Sequence, residues 1–181
     1  TTKTSLRIGI LYEDTQMTKF AGLDLLGNLA PQIIDLVAEI MPTIAPFKQL
    51  AIPMEFLYIS SSRELTKTTP YMYVKPTHTY ENGLIDLKII LLGGPNLMTV
   101  KEGSLTFLQW ASQQTKIMLT TCSGAMWLVR SGVLDGKKAS TNRMMLGAAK
   151  MVFPKVEWLD QRWVFDAGAF RGRTNLDCWR C

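Results

Sequence analysis

The sequence has few of the residues that usually announce a site. Its 181 residues hold one histidine, His78, and three cysteines, an odd number that falls entirely in the C-terminal third. Such a set does not make the disulfide framework of a secreted domain. Cys178 and Cys181 form a single C-x2-C pair without the second pair that a zinc site needs, so no metal is expected and a disordered tail is the simpler reading. No window approaches the roughly 18 uninterrupted apolar residues of a membrane-spanning helix, and "TTKTSLRIGILYED" lacks the apolar core of a signal peptide. These absences predict a cytoplasmic protein in a reducing compartment, with no membrane partner. Charge is also sparse. Only 19% of residues are charged, and the net charge of +5 comes from Lys and Arg scattered from Lys3 to Arg180 instead of gathered in a stripe beside aromatics. No nucleic-acid partner is expected from that pattern.

What is present is apolar: 47% of the chain is hydrophobic, and the length suits one domain able to bury most of its unfolded surface. "LRIGILY" (Leu6 to Tyr12) is nearly continuous in apolar residues, which predicts a strand buried on both faces. "EDTQMTKFAGLDLLGNLAP" then reads as a polar loop and a small turn. Ile33, Leu36, Val37 and Ile40 fall at helical spacing behind Pro31, where a first helical turn tolerates proline. "MEFLYIS" (Met54 to Ser60) predicts a second strand, and "MYVKPTHTY" an edge strand or hairpin arm, because Pro76 cannot donate to a central ladder. "LKIILLGG" (Leu87 to Gly94) predicts a third buried strand. A helix with Leu105, Leu108 and Trp110 follows, then the strand "KIMLTT", Cys122, and a helix through Val129. Alternating strands and helices imply an α/β fold with a doubly wound, mostly parallel sheet and helices on both faces, binding ligands at the carboxyl ends of its strands.

Cys122 therefore stands where a buried strand ends and a helix begins. Unpaired N–H groups and the positive end of a helix can draw a cysteine below its free pKa of about 8.5, and the small residues behind it allow a tight nucleophile elbow. A buried structural cysteine is the alternative, but the flanking "TT" and "SG" are not what a dry core position recruits.

These residues resemble the ThiJ/PfpI family of the class I glutamine amidotransferase-like superfamily. "TTCSGAMWLVRSGVLDGKKAST" is similar to its nucleophile region. "LDLLGN" resembles an Asp-x-x-Gly-Pro segment, with Asn28 in place of the proline. "IDLKIILLGGPN" resembles the Gly-Gly strand, and "FPKVEWLDQRWVFDAG" a later strand pair. The resemblance covers residues 1–168 as one domain and leaves 169–181 as a divergent tail. After "FDAG" relatives continue into a closing C-terminal helix, which "AFRGRTNLDCWRC" does not resemble. The resemblance also implies a homodimer.

Doubly wound topology would bring Asp24, Gly93, Gly94 and Cys122 to one sheet edge. Asp24 reads either as a general acid beside the thiolate or as a helix N-cap. Gly94 and the Ser123 amide read as an oxyanion hole, with Gly93 and Gly124 in the same substrate-binding set, or as ordinary turn chemistry. Ser123 either bonds substrate or caps the helix. The resemblance sorts the chain further. Branches with a histidine beside the cysteine often show Thr-His-Trp where this chain has Thr141, Asn142 and Arg143, and His78 reads as an ordinary strand or turn residue. An acidic Asp without the histidine resembles the isonitrile hydratase-like branch. The implied reaction is hydration of R–N≡C to an N-substituted formamide by the Cys122 thiolate, with Asp24 supplying the proton and no cofactor. Phe20, Met126 and Trp127 are candidates for the rim that selects the small-molecule substrate, although Trp127 on an apolar helix face also reads as core. The alternative is a non-catalytic ligand sensor or a redox sensor of the same fold. Sensing relatives carry a helix-turn-helix domain after the sheet domain, and no such segment is read in these residues.

Overall fold

The computed structural model describes residues 5–17, 21–83 and 86–166, together with the backbone of 175–179. Five strands run parallel at its centre: β1 (Leu6–Leu11), β2 (Met54–Ser60), β5 (His78–Thr79), β6 (Ile89–Leu92) and β7 (Ile117–Thr121). β11 (Asn175–Trp179) pairs parallel to β7, and β10 (Trp163–Asp166) closes that edge antiparallel to β11. The order is β10-β11-β7-β6-β1-β2-β5. β3 (Thr66–Thr68) and β4 (Met72–Val74) form an antiparallel hairpin, and β8 (Lys138–Ala139) pairs parallel with β9 (Glu157–Trp158).

Strand periodicity divides the apolar side chains between two layers, since successive residues face opposite sides. Leu57, Ile59, Ile90, Leu92 and Met118 point to one face, where α3 (Glu102–Gln114), α4 (Gly124–Arg130) and α5 (Arg143–Val152) cover them with Leu108, Leu128 and Leu146. Ile8, Ile10 and Leu91 point to the other face, against Leu23 and Leu26 of α1 (Ala21–Gly27). The segment read as a turn is thus a short helix, because Leu23 and Leu26 at i, i+3 spacing have a sheet to cover.

α2 (Pro31–Ile40) begins at proline as expected, and a 3-10 helix, Pro42–Leu50, follows it. The spacing that predicts the helix does not mark its buried residue, and Val37 is half-buried. Ala38 is the buried residue of α2, whereas Ile33, Leu36 and Ile40 are exposed. "MYVKPTHTY" divides between the hairpin arm β4 and the edge strand β5. Part of the segment set apart as a tail, Asn175–Trp179, lies within the sheet, and among the described residues no helix follows α5. Phe20 and Cys181 lie outside the described residues.

A candidate active site at the cysteine elbow

Strand order decides where a site can form. From β1 the chain proceeds to β2 on one side and reaches β6 and β7 on the other, so the order reverses between β1 and β6. Loops leaving those strands diverge there and open a crevice at the carboxyl edge. A cavity of about 360 Å³ lies at this point, walled by residues that follow β1, β6 and β7: Asp14 and Gln16, Gly94 to Asn96, and Cys122 with Ser123. Thr69, Asn142 and Met145 complete its lining.

Cys122 adopts φ of 55°, left-handed backbone that a side chain with a Cβ rarely takes. Packing holds it there. A Cβ on Gly124 would run into the Leu92 carbonyl oxygen, and one on Gly94 would run into Ser123 Oγ. Gly124 is therefore required by close approach to backbone, which lets β7 turn sharply into α4, whereas at Gly94 the near atom is a hydroxyl that can rotate. Cys122 is 6% exposed. Asn142 Nδ2 donates to its Sγ at 3.2 Å, and Thr141 Oγ1 donates to the Cys122 carbonyl oxygen, also at 3.2 Å. The orientation of the Asn142 amide is fixed from its other end. Its Oδ1 accepts the Met144 N–H at 3.0 Å and so caps α5, which leaves the NH2 group to face sulfur.

The expected residues separate into three groups. Cys122, Ser123 and Gly94 share the cavity. Ser123 is the N-cap residue of α4, but its side chain makes no capping hydrogen bond, which leaves the hydroxyl beside Gly94. Gly93 and Gly124 are buried and are not among the residues that line the cavity. Asp24 is exposed within α1 and lines a separate cavity of about 240 Å³ with Leu23, Asn28, Phe56 and Tyr58. It is therefore neither the N-cap residue of α1 nor a wall of the cysteine's cavity. Met126 and Trp127 are buried in the core, the latter fully, with its Nε1–H donating to Ser104 Oγ at 2.8 Å. They do not form a rim. His78 stands on β5 against Thr77 Oγ1 at 2.8 Å and is absent from the cavity's lining.

The carboxylate that does share the cavity with the thiol is Asp14. It has a φ of 48°, and its Oδ2 accepts from Asn96 Nδ2 at 3.1 Å across the crevice. No sequence pattern marked it, because a residue placed by one left-handed turn carries no periodicity. Asn142 stands out in the sequence only where the family resemblance implies a histidine. Beneath Asp14, the buried Glu13 carboxylate accepts the Ser61 N–H at 2.8 Å and the Tyr80 hydroxyl at 2.7 Å, tying the ends of β1 and β2 to the β5 turn. Burial first, then the Glu13 charge and its hydrogen bond, raise the Tyr80 pKa far above the usual phenol value. Burial and Tyr58 push Tyr12 up to about 12.

Among the described residues, no helix is long and apolar enough to cross a membrane, and no three His, Cys, Asp or Glu side chains are grouped to hold a metal ion. No protein-family model matches the sequence, and no curated protein sequence matches it. Solved structures do match. The chain is similar to a ThiJ/PfpI family protein from Pseudomonas syringae at 17% identity and a TM-score of 0.71, covering 99% of this chain and 64% of that one. It is similar to an AraC family transcriptional regulator from Pseudomonas putida at 15% identity and a TM-score of 0.66, with 97% and 83% covered. Schizosaccharomyces pombe DJ-1 aligns at 15% identity and a TM-score of 0.60, with 97% and 84% covered. The fold is the flavodoxin-like one that ThiJ/PfpI and DJ-1 proteins share, and this chain spans about two thirds of the first relative's length.

Proposed function

We propose that the chain is a cysteine-dependent small-molecule enzyme of the ThiJ/PfpI family, with Cys122 as nucleophile and an isonitrile as substrate. The observation that carries this reading is the Asn142 Nδ2–H to Sγ hydrogen bond on a cysteine held in left-handed backbone. A structural thiol needs neither feature, while a thiolate gains from a donor that is fixed in place. Asn142 can stabilise negative sulfur but cannot take its proton, so proton traffic falls to a carboxyl group.

The thiolate adds to the terminal carbon of R–N≡C while a carboxyl group protonates that carbon, giving R–N=CH–S–Cys122. Water then adds to the thioimidate carbon, and collapse of the adduct expels the thiolate and releases R–NH–CHO. Atoms balance as isonitrile plus water to formamide, and the carboxyl group is reprotonated in the second half. Asp14 is the better-supported acid because it shares the cavity with Cys122, with Asp24, which lines a separate cavity, as the competitor. Gly94 and Ser123 bound the space in which the adduct would form, and no cofactor takes part.

The enzyme would act as a homodimer. Support for a second copy is the row of exposed apolar side chains on α1, α2 and the 3-10 helix, including Leu25, Leu36, Ile40 and Leu50. A sensor is the second reading, favoured by the coverage of 97% of the chain in the Pseudomonas putida regulator.

Intact-mass spectrometry after incubation with a simple alkyl isonitrile, with formamide assayed in parallel, decides between them. An enzyme produces formamide that is lost in Cys122→Ala, and Asp14→Asn against Asp24→Asn then identifies the acid. Folded protein giving neither adduct nor formamide removes the hydratase reading and favours the sensor.

A further inference from the structure

A second cavity, of about 500 Å³, opens between the start of α3, the turn after β5 and the end of β2. It shares no lining residue with the Cys122 cavity and lies in the range of small-molecule pockets. Its wall is aromatic. Tyr80 and Phe107 are buried with ring centroids 5.6 Å apart and tilted by 42°, and half-buried Trp110 continues the surface along α3. Tyr80 is held by its hydroxyl bond to the buried Glu13 carboxylate, so this wall exists before any ligand arrives. At the rim stand one cation and one anion, Lys101 and Glu81. Both are exposed, and neither makes an ion pair or side-chain hydrogen bond among the described residues.

We propose that this cavity binds a small aromatic zwitterion of the amino-acid type: a flat ring against Trp110, Phe107 and Tyr80, a carboxylate at Lys101 and an ammonium at Glu81. A purely apolar ligand would use the wall and neither charge, and a simple anion would use Lys101 and leave the rings uncovered. Two unpaired charges of opposite sign beside one apolar surface complement a molecule that carries both. Ring burial supplies most of the affinity, because exposed charges are screened and each adds little. The rim charges instead fix which way the ligand lies.

The test is isothermal titration of L-tryptophan into the full chain, with tryptamine and indole-3-propionate as single-charge comparisons. The expected result is saturable binding, weaker by about tenfold in Trp110→Ala. Lys101→Gln and Glu81→Gln each weaken it by about threefold. Each single-charge compound binds less tightly than L-tryptophan, and Cys122→Ala binds as the parent does. Lys101 and Glu81 are exposed, so their variants report on binding even where Trp110→Ala fails to fold. Absence of saturable binding to L-tryptophan, L-tyrosine and L-phenylalanine overturns the proposal. So does affinity equal to the parent's in both Lys101→Gln and Glu81→Gln, which removes the zwitterion, or loss of binding in folded Cys122→Ala, which moves the ligand to the elbow.

Discussion

The two faces of the sheet are covered in opposite ways. On the elbow side, six residues of α4 in succession, Gly124 to Val129, are buried, and Trp127 hydrogen-bonds to Ser104 of α3. On the other side, no residue of α1 is buried, and Leu25 and Ile40 are 73% and 74% exposed. One layer is a closed core that fixes a strained cysteine; the other ends in apolar surface. Strain of this kind persists only where surrounding packing over-determines it, so the rigid layer is where a nucleophile can be held. The open layer is where a partner can be taken up.

The largest way to break this contrast is at Gly124. Its added Cβ would strike backbone, the Leu92 carbonyl oxygen, which has no flexible end to move aside. Gly124→Ala should cost about 3 kcal/mol in urea unfolding and abolish Cys122 reactivity toward a thiol reagent. Gly147→Ala, in α5 with nothing near its Cβ position, is the matched control and should be neutral or slightly stabilising. Equal effects at the two positions would remove the case for a tight elbow.

Next comes the Glu13 junction beneath Asp14. Tyr80→Phe removes a donor from a buried carboxylate and should destabilise by about 2 kcal/mol. The same tyrosine carries a pH signature. A phenol whose pKa is raised on folding keeps its stabilising contribution below the unfolded value near 10 and loses it as pH rises through the folded value. Tyr12, at about 12, behaves alike. Stability should therefore fall from about pH 10 upward. Removing both hydroxyls, in Tyr12→Phe with Tyr80→Phe, should flatten that decline in melts taken across the alkaline range.

Much of the elbow side was legible in the sequence. "LRIGILY" and "LKIILLGG" are buried on both faces over most of their length, so their apolar runs are nearly continuous; "KIMLTT" is buried at Met118 and Thr120 and half-buried between them, and the switch to Cys122 followed by small residues marks the turn. The outer layer was less legible. Periodicity gave α2 its helix but not the direction of its stripe, since Ile33, Leu36 and Ile40 read the same facing a core or facing out. Leu23 and Leu26 offered only one i, i+3 pair, too little to separate a short helix from a turn. In the site itself, Gly94 and Ser123 could be read from their neighbours. Asp14 could not, because one left-handed residue after β1 sets its place, and Asn142 gained meaning only once its cap on α5 fixed which end faces sulfur.

Backbone strain at Cys122 gives a smaller effect that separates the elbow from the thiol it carries. Cys122→Ala and Cys122→Gly both remove sulfur and its hydrogen bond from Asn142, but only glycine relaxes at φ of 55°. Cys122→Gly should therefore be the more stable of the two by about 1 kcal/mol, with both inactive. Alanine equal to or better than glycine would mean the position is not strained.

The smallest effect on folding is expected at the open layer, and there the association state carries the information. Leu36→Ser with Ile40→Ser replaces side chains that are already exposed, so the unfolding free energy of dilute protein should change by no more than about 0.5 kcal/mol. If this face is buried between two copies, light scattering across a concentration series should show a dimer for the parent chain and a monomer for the double variant. The parent's melting temperature should also rise with concentration while the variant's stays constant, because a partner that binds only the folded state stabilises by mass action. An unchanged mass in the variant would assign the dimer to another surface. A monomeric parent would leave these apolar side chains facing water, and serine there should then raise solubility without altering the melting temperature.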